Sequence, residues 1–250
     1  MDRRGATSSD GEDFSVLLIN PNTSQWVTDK LVAHLHGLLG AAVRIDAVTA
    51  RSGAAYIASE ESFASGSQAV LDAWRLREQE QAPPGRPPDA VLIGCFGDPG
   101  LQELRARVTI PVLGLAEVAI GAARREGCFA IVTGGRAWKP MLQRIVQSWG
   151  WHDRLDNITV IDASGADLAA DPKGAQALLA QACRQAAAPG VRRVVLGGAG
   201  FAGYGDVIAD RVPVPVIDSV SAAAGALLAL REGNGGSGRA PGSDTRRRRR

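Results

Sequence analysis

The chain's three cysteines, Cys95, Cys128 and Cys183, are odd in number and form no CxxC pair, so neither a disulfide framework nor a zinc knuckle is indicated. Cys95 is set apart by its neighbours. It follows the apolar run at residues 90–94 (AVLIG) and precedes Phe96, Gly97, Asp98 and Pro99. Asp before Pro reads as a helix start, because Asp caps free N–H groups and proline is tolerated at the first helical position. A thiol just ahead of a helix N-terminus meets free amides and the positive end of a dipole, which favour the thiolate. The same donors would hold a carboxylate or an enolate. The plain alternative is a buried structural cysteine. For Cys128, at a strand start, and Cys183, in a helical stretch, the core reading prevails.

Other turns offer polar groups. Asn20 precedes PNTS at 21–24, where Thr23 or Ser24 is expected to cap a helix and Asn20 to face a ligand. Thr133, Gly134 and Gly135 form a similar turn able to present backbone N–H groups to an anion. Arg136 could reach that anion or stay solvated. Tyr56, in GAAYIASEES, is placed to line a pocket or simply to pack. His34 and His36, two apart on a helix, face different directions and make a poor metal pair. Gly198, Gly200 and Gly203 match GxGxxG with Asp218 ending the next strand, the spacing of a dinucleotide fingerprint. The crossover after Gly203 is too short for that unit, which argues against a nicotinamide cofactor.

The elements that would position these residues follow from periodicity. Residues 14–19, 90–94, 111–115, 129–132, 194–197 and 215–217 have the length and β-branched content of buried parallel strands. Residues 43–48 alternate like an edge strand. Val27, Leu31, Leu35 and Leu38, then Met141, Ile145 and Val146, then Leu178, Leu179 and Ala182 mark helices. Strand and helix alternate, giving an α/β fold with mostly parallel sheets. The order also repeats. LLIN at 17–20 parallels AIVT at 130–133, VLIGCFG at 91–97 parallels VVLGGAG at 194–200, and IPVLGLAEVAIGA at 110–122 parallels VPVIDSVSAAAGA at 214–226. Two related halves are expected, 14–125 and 126–231, with 214–231 open to exchange between them. Ligands in such sheets sit outside the carboxyl ends of the strands, so two facing halves can share one cleft.

Lys and Arg number 28 and Asp and Glu 26, a formal charge of +2. The surplus lies in the termini; between Phe14 and Arg231 the signs balance at 20 each. A nucleic-acid partner would demand a basic surface patch, so none is expected. No apolar run reaches the roughly 18 to 20 residues of a membrane span, and the first residues lack a signal peptide's apolar stretch, so a cytoplasmic protein is expected. Residues 1–13 and 232–250, the latter ending in five arginines, read as disordered, and the Pro-rich 81–88 as a stiff connection.

INPNTS at 19–24, GAAYIAS at 53–59, GCFGDPGL at 94–101, PVLGLAEVA at 111–119, LGGAGFAG at 196–203 and PVIDSVSAA at 215–223 resemble the aspartate/glutamate/hydantoin racemase superfamily, nearest its hydantoin racemase branch. The resemblance spans nearly all of residues 14–231. It implies two pseudo-symmetric α/β domains with a cofactor-independent site in the cleft between them, a small anionic or cyclic amide substrate, and a homo-oligomer. It further implies that Cys95 is catalytic; the strand-end turns and the Tyr56 loop are expected to bring Asn20, Thr23, Tyr56, Phe96, Gly97, Thr133, Gly134, Gly135, Ala199 and Gly200 around the substrate. In the family one cysteine from each half flanks the acidic carbon, one removing the proton and the other returning it to the opposite face. The second cysteine falls here at Gly198, where Leu-Gly-Cys-Ala-Gly has become Leu-Gly-Gly-Ala-Gly. Two-base racemization needs groups on both faces. Three readings follow: a racemase or epimerase in which Cys95 works with water or a group such as Tyr56; a one-thiol decarboxylase or isomerase like arylmalonate decarboxylase, which has one of the two cysteines, though in the other half; and a non-catalytic small-acid-binding protein.

Overall fold

The computed structural model describes residues 14–80, 86–163 and 165–236. The first half lays down β1 (Phe14–Asn20), α1 (Gln25–Leu39), β2 (Val43–Thr49), α2 (Glu60–Glu80), β3 (Ala90–Ile93), α3 (Leu101–Arg105), β4 (Val112–Gly114) and α4 (Leu115–Arg125). The second lays down β5 (Phe129–Gly134), α5 (Trp138–Ser148), β6 (Leu155–Ile161), α6 (Gly165–Ala170), α7 (Pro172–Ala186), β7 (Arg193–Gly197), α8 (Tyr204–Ile208), β8 (Val216–Asp218) and α9 (Ser219–Gly236). Both sheets are four-stranded and parallel, in orders β2-β1-β3-β4 and β6-β5-β7-β8.

Strand alternation divides the apolar side chains between layers. Val16, Leu18, Ala90 and Leu92 face inward with Phe129, Ile131 and Val195 of the other sheet, and between the sheets pack α1, α4, α5 and α9. Leu17, Ile19, Val91 and Ile93 face outward onto α2, while Ala130, Val132, Val194 and Leu196 face α7. The halves thus share one central core, and β8 pairs within the second sheet while α9 packs across onto α1 and α4. Fully burying that many aliphatic side chains, at roughly 1.5–3 kcal/mol each, holds the halves face to face.

Some expectations shift. The sequence repeat omits β6, whose Asp156 and Asn157 disguise a strand; it is the edge counterpart of β2. Leu38 and Leu178 are exposed, and the buried helical stripes run instead through Leu35 and Leu39 and through Leu179 and Cys183. α9 continues five residues beyond Arg231, since each further residue of an established helix adds a hydrogen bond without a new nucleus. Cys128 is exposed rather than core, because it sits one residue before β5 begins, whereas Cys183 is buried. Residues 1–13, 81–85 and 237–250 lie outside the described residues, so the readings of the tails and of most of the Pro-rich stretch are not addressed. No described helix is long and apolar enough to cross a membrane.

Candidate functional site

The ladder registers fix which residues of the halves correspond. Ile19 pairs with Ile93 and Val132 with Leu196; Ile93 pairs with Gly114 and Leu196 with Asp218. Counting two residues on from Ile93 and Leu196 reaches Cys95 and Gly198. Both stand at carboxyl strand ends, and both line one cavity of about 320 Å³. First-half residues Asn22, Trp26, Tyr56, Cys95 and Phe96 build one side of it, and Gly134, Gly135, Trp138, Asp162, Asp167, Gly198, Ala199, Gly200 and Phe201 the other.

Of the residues expected around a substrate, Tyr56, Phe96, Gly134, Gly135, Ala199 and Gly200 are in this wall, with Tyr56 45 % exposed. Asn20, Thr23, Gly97 and Thr133 stand behind it. Asn20 is fully buried: its Nδ2 donates to Asn22 Oδ1 (3.1 Å), Ser24 O (3.0 Å) and Thr28 Oγ1 (2.9 Å), and its Oδ1 accepts from Asn22 N (3.2 Å). Asn20 therefore shapes the turn that presents Asn22. The N–H of Thr23 is bound to Ala54 O (3.0 Å), tying this turn to the loop carrying Tyr56. Thr133 is buried within β5, and Gly97, at φ 138°, lets the Trp138 ring lie where a Cβ would be. Ser24 takes the N-cap position of α1, but neither its hydroxyl nor that of Thr23 caps; Asn22 Oδ1 receives Ser24 N (3.0 Å) instead. The Gly135 N–H is spent on Ile161 O (3.1 Å), and Arg136 is solvated beside Asp162.

The Cys95 turn departs from its sequence reading in an informative way. α3 starts only at Leu101, and Asp98 does not cap it. Asp98 Oδ1 and Oδ2 accept from Ala116 N (2.9 Å) and Glu117 N (2.7 Å), so Asp98 caps α4 from across the sheet. It is the sole described non-glycine residue with positive φ, 57°, a region Asp tolerates. Burial lifts its carboxyl to about 7, against the pull of those two N–H bonds. Cys95 is 8 % exposed; burial, and then the charge of Asp98, push its thiol pKa far up rather than down. Both causes favour the protonated thiol over the thiolate at neutral pH. The glycine-rich turn after β7 is also closed to a dinucleotide: Asp218 Oδ2 accepts from Gly203 N (2.9 Å) and Gly205 N (3.4 Å), occupying the amides a pyrophosphate would need.

Sequence reasoning missed Asn22, Trp26, Trp138, Asp162, Asp167 and Phe201. Asn22 was legible within PNTS; Trp26 and Trp138 come from the starts of α1 and α5 and Phe201 from the turn after β7, whose approach to the cleft has no local signal.

Residues 16–227 match the family described as Asp/Glu/Hydantoin racemase. A hydantoin racemase of Paenarthrobacter aurescens is 33 % identical over 220 residues, covering 86 % of this chain and 91 % of that protein. An allantoin racemase from Klebsiella pneumoniae superposes with a TM-score of 0.78 at 29 % identity, covering 89 % of each chain. A mutant arylmalonate decarboxylase shares the fold, with a TM-score of 0.62 at 18 % identity over 88 % of this chain and 94 % of that one.

Proposed function

The chain belongs to the Asp/Glu/hydantoin racemase family and is by that membership an isomerase; from this premise we propose that it acts without a cofactor at the acidic carbon of a small cyclic amide of the hydantoin or allantoin kind, with Cys95 carrying the proton. The observation behind this reading is the position of Cys95, at a carboxyl strand end in the wall of a cavity that both halves build. The rest of the wall supports the substrate class. Trp26, Tyr56, Phe96, Trp138 and Phe201 give it ring faces, and its charged side chains among the described residues are Asp162 and Asp167, both acids. A substrate with two carboxylates would meet no cation there, whereas a flat, neutral ring amide can stack and exchange hydrogen bonds. Asn22 Oδ1 is committed to Asn20 Nδ2 and Ser24 N, which leaves the Asn22 amide nitrogen as a donor for a ring carbonyl.

Water on the face opposite Cys95 takes the C–H proton from a carbon beside a carbonyl, leaving an enolate. The protonated Cys95 gives that carbon a proton from its own face and becomes a thiolate, which water, or the C–H of the next substrate in the reverse direction, reprotonates. Racemization needs this exchange on both faces. Gly198, the counterpart of Cys95, has no side chain, and Tyr56 stands on the Cys95 side of the cavity, so the opposite face relies on water. That same absence is what a second reading needs, one-sided protonation by Cys95 after decarboxylation of a malonate, while the lack of a cation among the described wall residues weighs against that dicarboxylate.

The test is to incubate enantiopure 5-substituted hydantoins, allantoin and an arylmalonate in deuterated buffer, and to follow label, chirality and carbon dioxide above the buffer background. Label with loss of chirality supports the racemase; carbon dioxide from the malonate with one-handed label supports the second reading. Cys95→Ala is expected to lower either rate by about 10²- to 10⁴-fold, the usual worth of a positioned acid–base group. An unchanged rate in that variant would remove Cys95 from the chemistry.

A further inference from the structure

One face of α1 is turned toward the second half. Trp26, Lys30 and His34 recur there at intervals of four, and so lie one above another. Lys30 Nζ donates to Gly200 O at 2.5 Å, in the turn that follows Gly198. The same ammonium stands 5.4 Å from the Trp26 ring centre and 5.2 Å from that of Tyr204. Trp26 and Gly200 both belong to the cavity wall. Tyr204 extends the connection: its hydroxyl donates to Leu168 O (3.2 Å), one residue past Asp167 of the wall. One turn further along α1, His34 Nε2 lies 3.4 Å from Ser221 Oγ.

We propose that Lys30 is a positioning residue, a first-half cation that clamps the second-half turn at residues 198–201 and the Trp26 ring in the arrangement that closes the Gly198 face of the cavity. Serving a carbonyl oxygen and two ring faces at once is a task for a cation; a neutral side chain of the same length could fill the space but not satisfy all three. On the first face Cys95 is held by a turn whose Asp98 is anchored on α4; on the second, Asp218 ties the turn at Gly203 and Gly205, and Lys30 holds it at Gly200, nearer the cavity. Burial between the rings lowers the Lys30 pKa, and Asp218 beside it works against that fall, consistent with an ammonium retained for its charge.

This inference rests on reading the cavity as the substrate site, so its test has one readout that needs no substrate. Wild type, Lys30→Arg and Lys30→Met are compared by amide hydrogen exchange, and by deuterium incorporation into 5-benzylhydantoin. In Lys30→Met the amides of residues 198–203 are expected to exchange about tenfold faster or more, the loss of a charge-assisted hydrogen bond, while those of β3 are unaffected. The deuterium-transfer kcat is expected to fall further than KM rises. Lys30→Arg, which keeps charge and donor, should stay within about threefold of wild type on both readouts. If Lys30→Met does not fold, Lys30→Gln, neutral and one atom shorter, replaces it with the same expectation. Unchanged exchange at 198–203 in the neutral variant, or Arg and neutral variants behaving alike, would overturn the proposal. Failure of the wild type to label any substrate would count against the proposed function, while amide exchange still decides the clamp.

Discussion

The two halves meet the same problem at their cleft and answer it with the same group from different places in the sequence. Each must supply an acceptor for the free N–H groups at the start of the helix after its last strand. In the first half the carboxylate is Asp98, in the loop after β3, and the strand-end position is Gly114, where a Cβ would lie 2.2 Å from the Asp98 carboxyl carbon. In the second half the carboxylate is Asp218, at the strand end itself, and the loop position matching Asp98 is Phe201. There the room is kept by Gly205, whose Cβ would lie 2.7 Å from that of Asp218. The exchange sets the character of each face. Burial, with the acid of Asp98 adding to it, holds the Cys95 thiol protonated. In the second half Asp218 instead ties its loop at Gly203 and Gly205 and leaves the position matching Asp98 to Phe201, which lines the cavity after the turn at Gly198 with φ 148°.

The largest expected effect comes from restoring symmetry. Gly198→Cys puts a second thiol opposite Cys95 and should raise exchange with inversion of configuration over exchange with retention. It carries a cost that the sequence did not reveal. At φ 148° an L-residue is strained, and its Cβ would stand 3.2 Å from the Phe201 ring. The backbone there must move toward the geometry of Cys95, at roughly 1–3 kcal/mol of stability. Thermal unfolding and chiral analysis together check this. A folded variant with the stability loss but no gain in inversion would show that the faces are not interchangeable.

The fold was legible because buried parallel strands announce themselves as short apolar runs and because the chain states its plan twice. The strand-end turns were legible for the same reason. The direction in which Asp98 looks was not. Asp-Pro signals a cap, yet which helix is capped depends on Gly114, sixteen residues on, leaving space for the carboxylate. Asn20 shows the same limit. A polar residue at a strand end reads as a ligand contact, and only the positions of Asn22, Ser24 and Thr28 make it an internal brace. The aromatic lining escaped detection because Trp26, Trp138 and Phe201 arrive from separate helix and turn starts, with no periodicity linking them.

Asp218→Asn is expected to be the next most damaging change. Asp218 Oδ1 also accepts from Val220 N (2.9 Å) and Ser221 N (3.2 Å), so its two oxygens serve four N–H groups in two segments. An amide can offer its oxygen to one segment only and turns an NH₂ donor toward the other. Loss of about 2–3 kcal/mol follows for bonds to a charged acceptor whose partners stay buried. Urea unfolding checks the size, and faster amide exchange at Gly203 and Gly205 would show that the damage lies in the Gly198 loop.

Asp98→Asn should cost less, because the neutral amide relieves the burial penalty that the carboxylate bears, and because Asn also tolerates positive φ. Its signature is in pH. The folded-state pKa of about 7 lies above the ordinary value of 3.8, so the folded protein favours the protonated form. The stability that Asp98 contributes is fully present below the unfolded pKa and is lost as pH rises through about 7. The melting temperature of wild type relative to Asp98→Asn should therefore fall between about pH 4 and pH 8, and a flat difference would mean that the two backbone N–H bonds outweigh burial. At pH 8 the variant also lacks the negative charge that disfavours the Cys95 thiolate. Its Cys95 should then react with iodoacetamide a few-fold faster than in wild type, with exposed Cys128 as the internal reference. Equal rates would place the high thiol pKa in burial alone, and would make the protonated state of Cys95 independent of where the first half keeps its capping carboxylate.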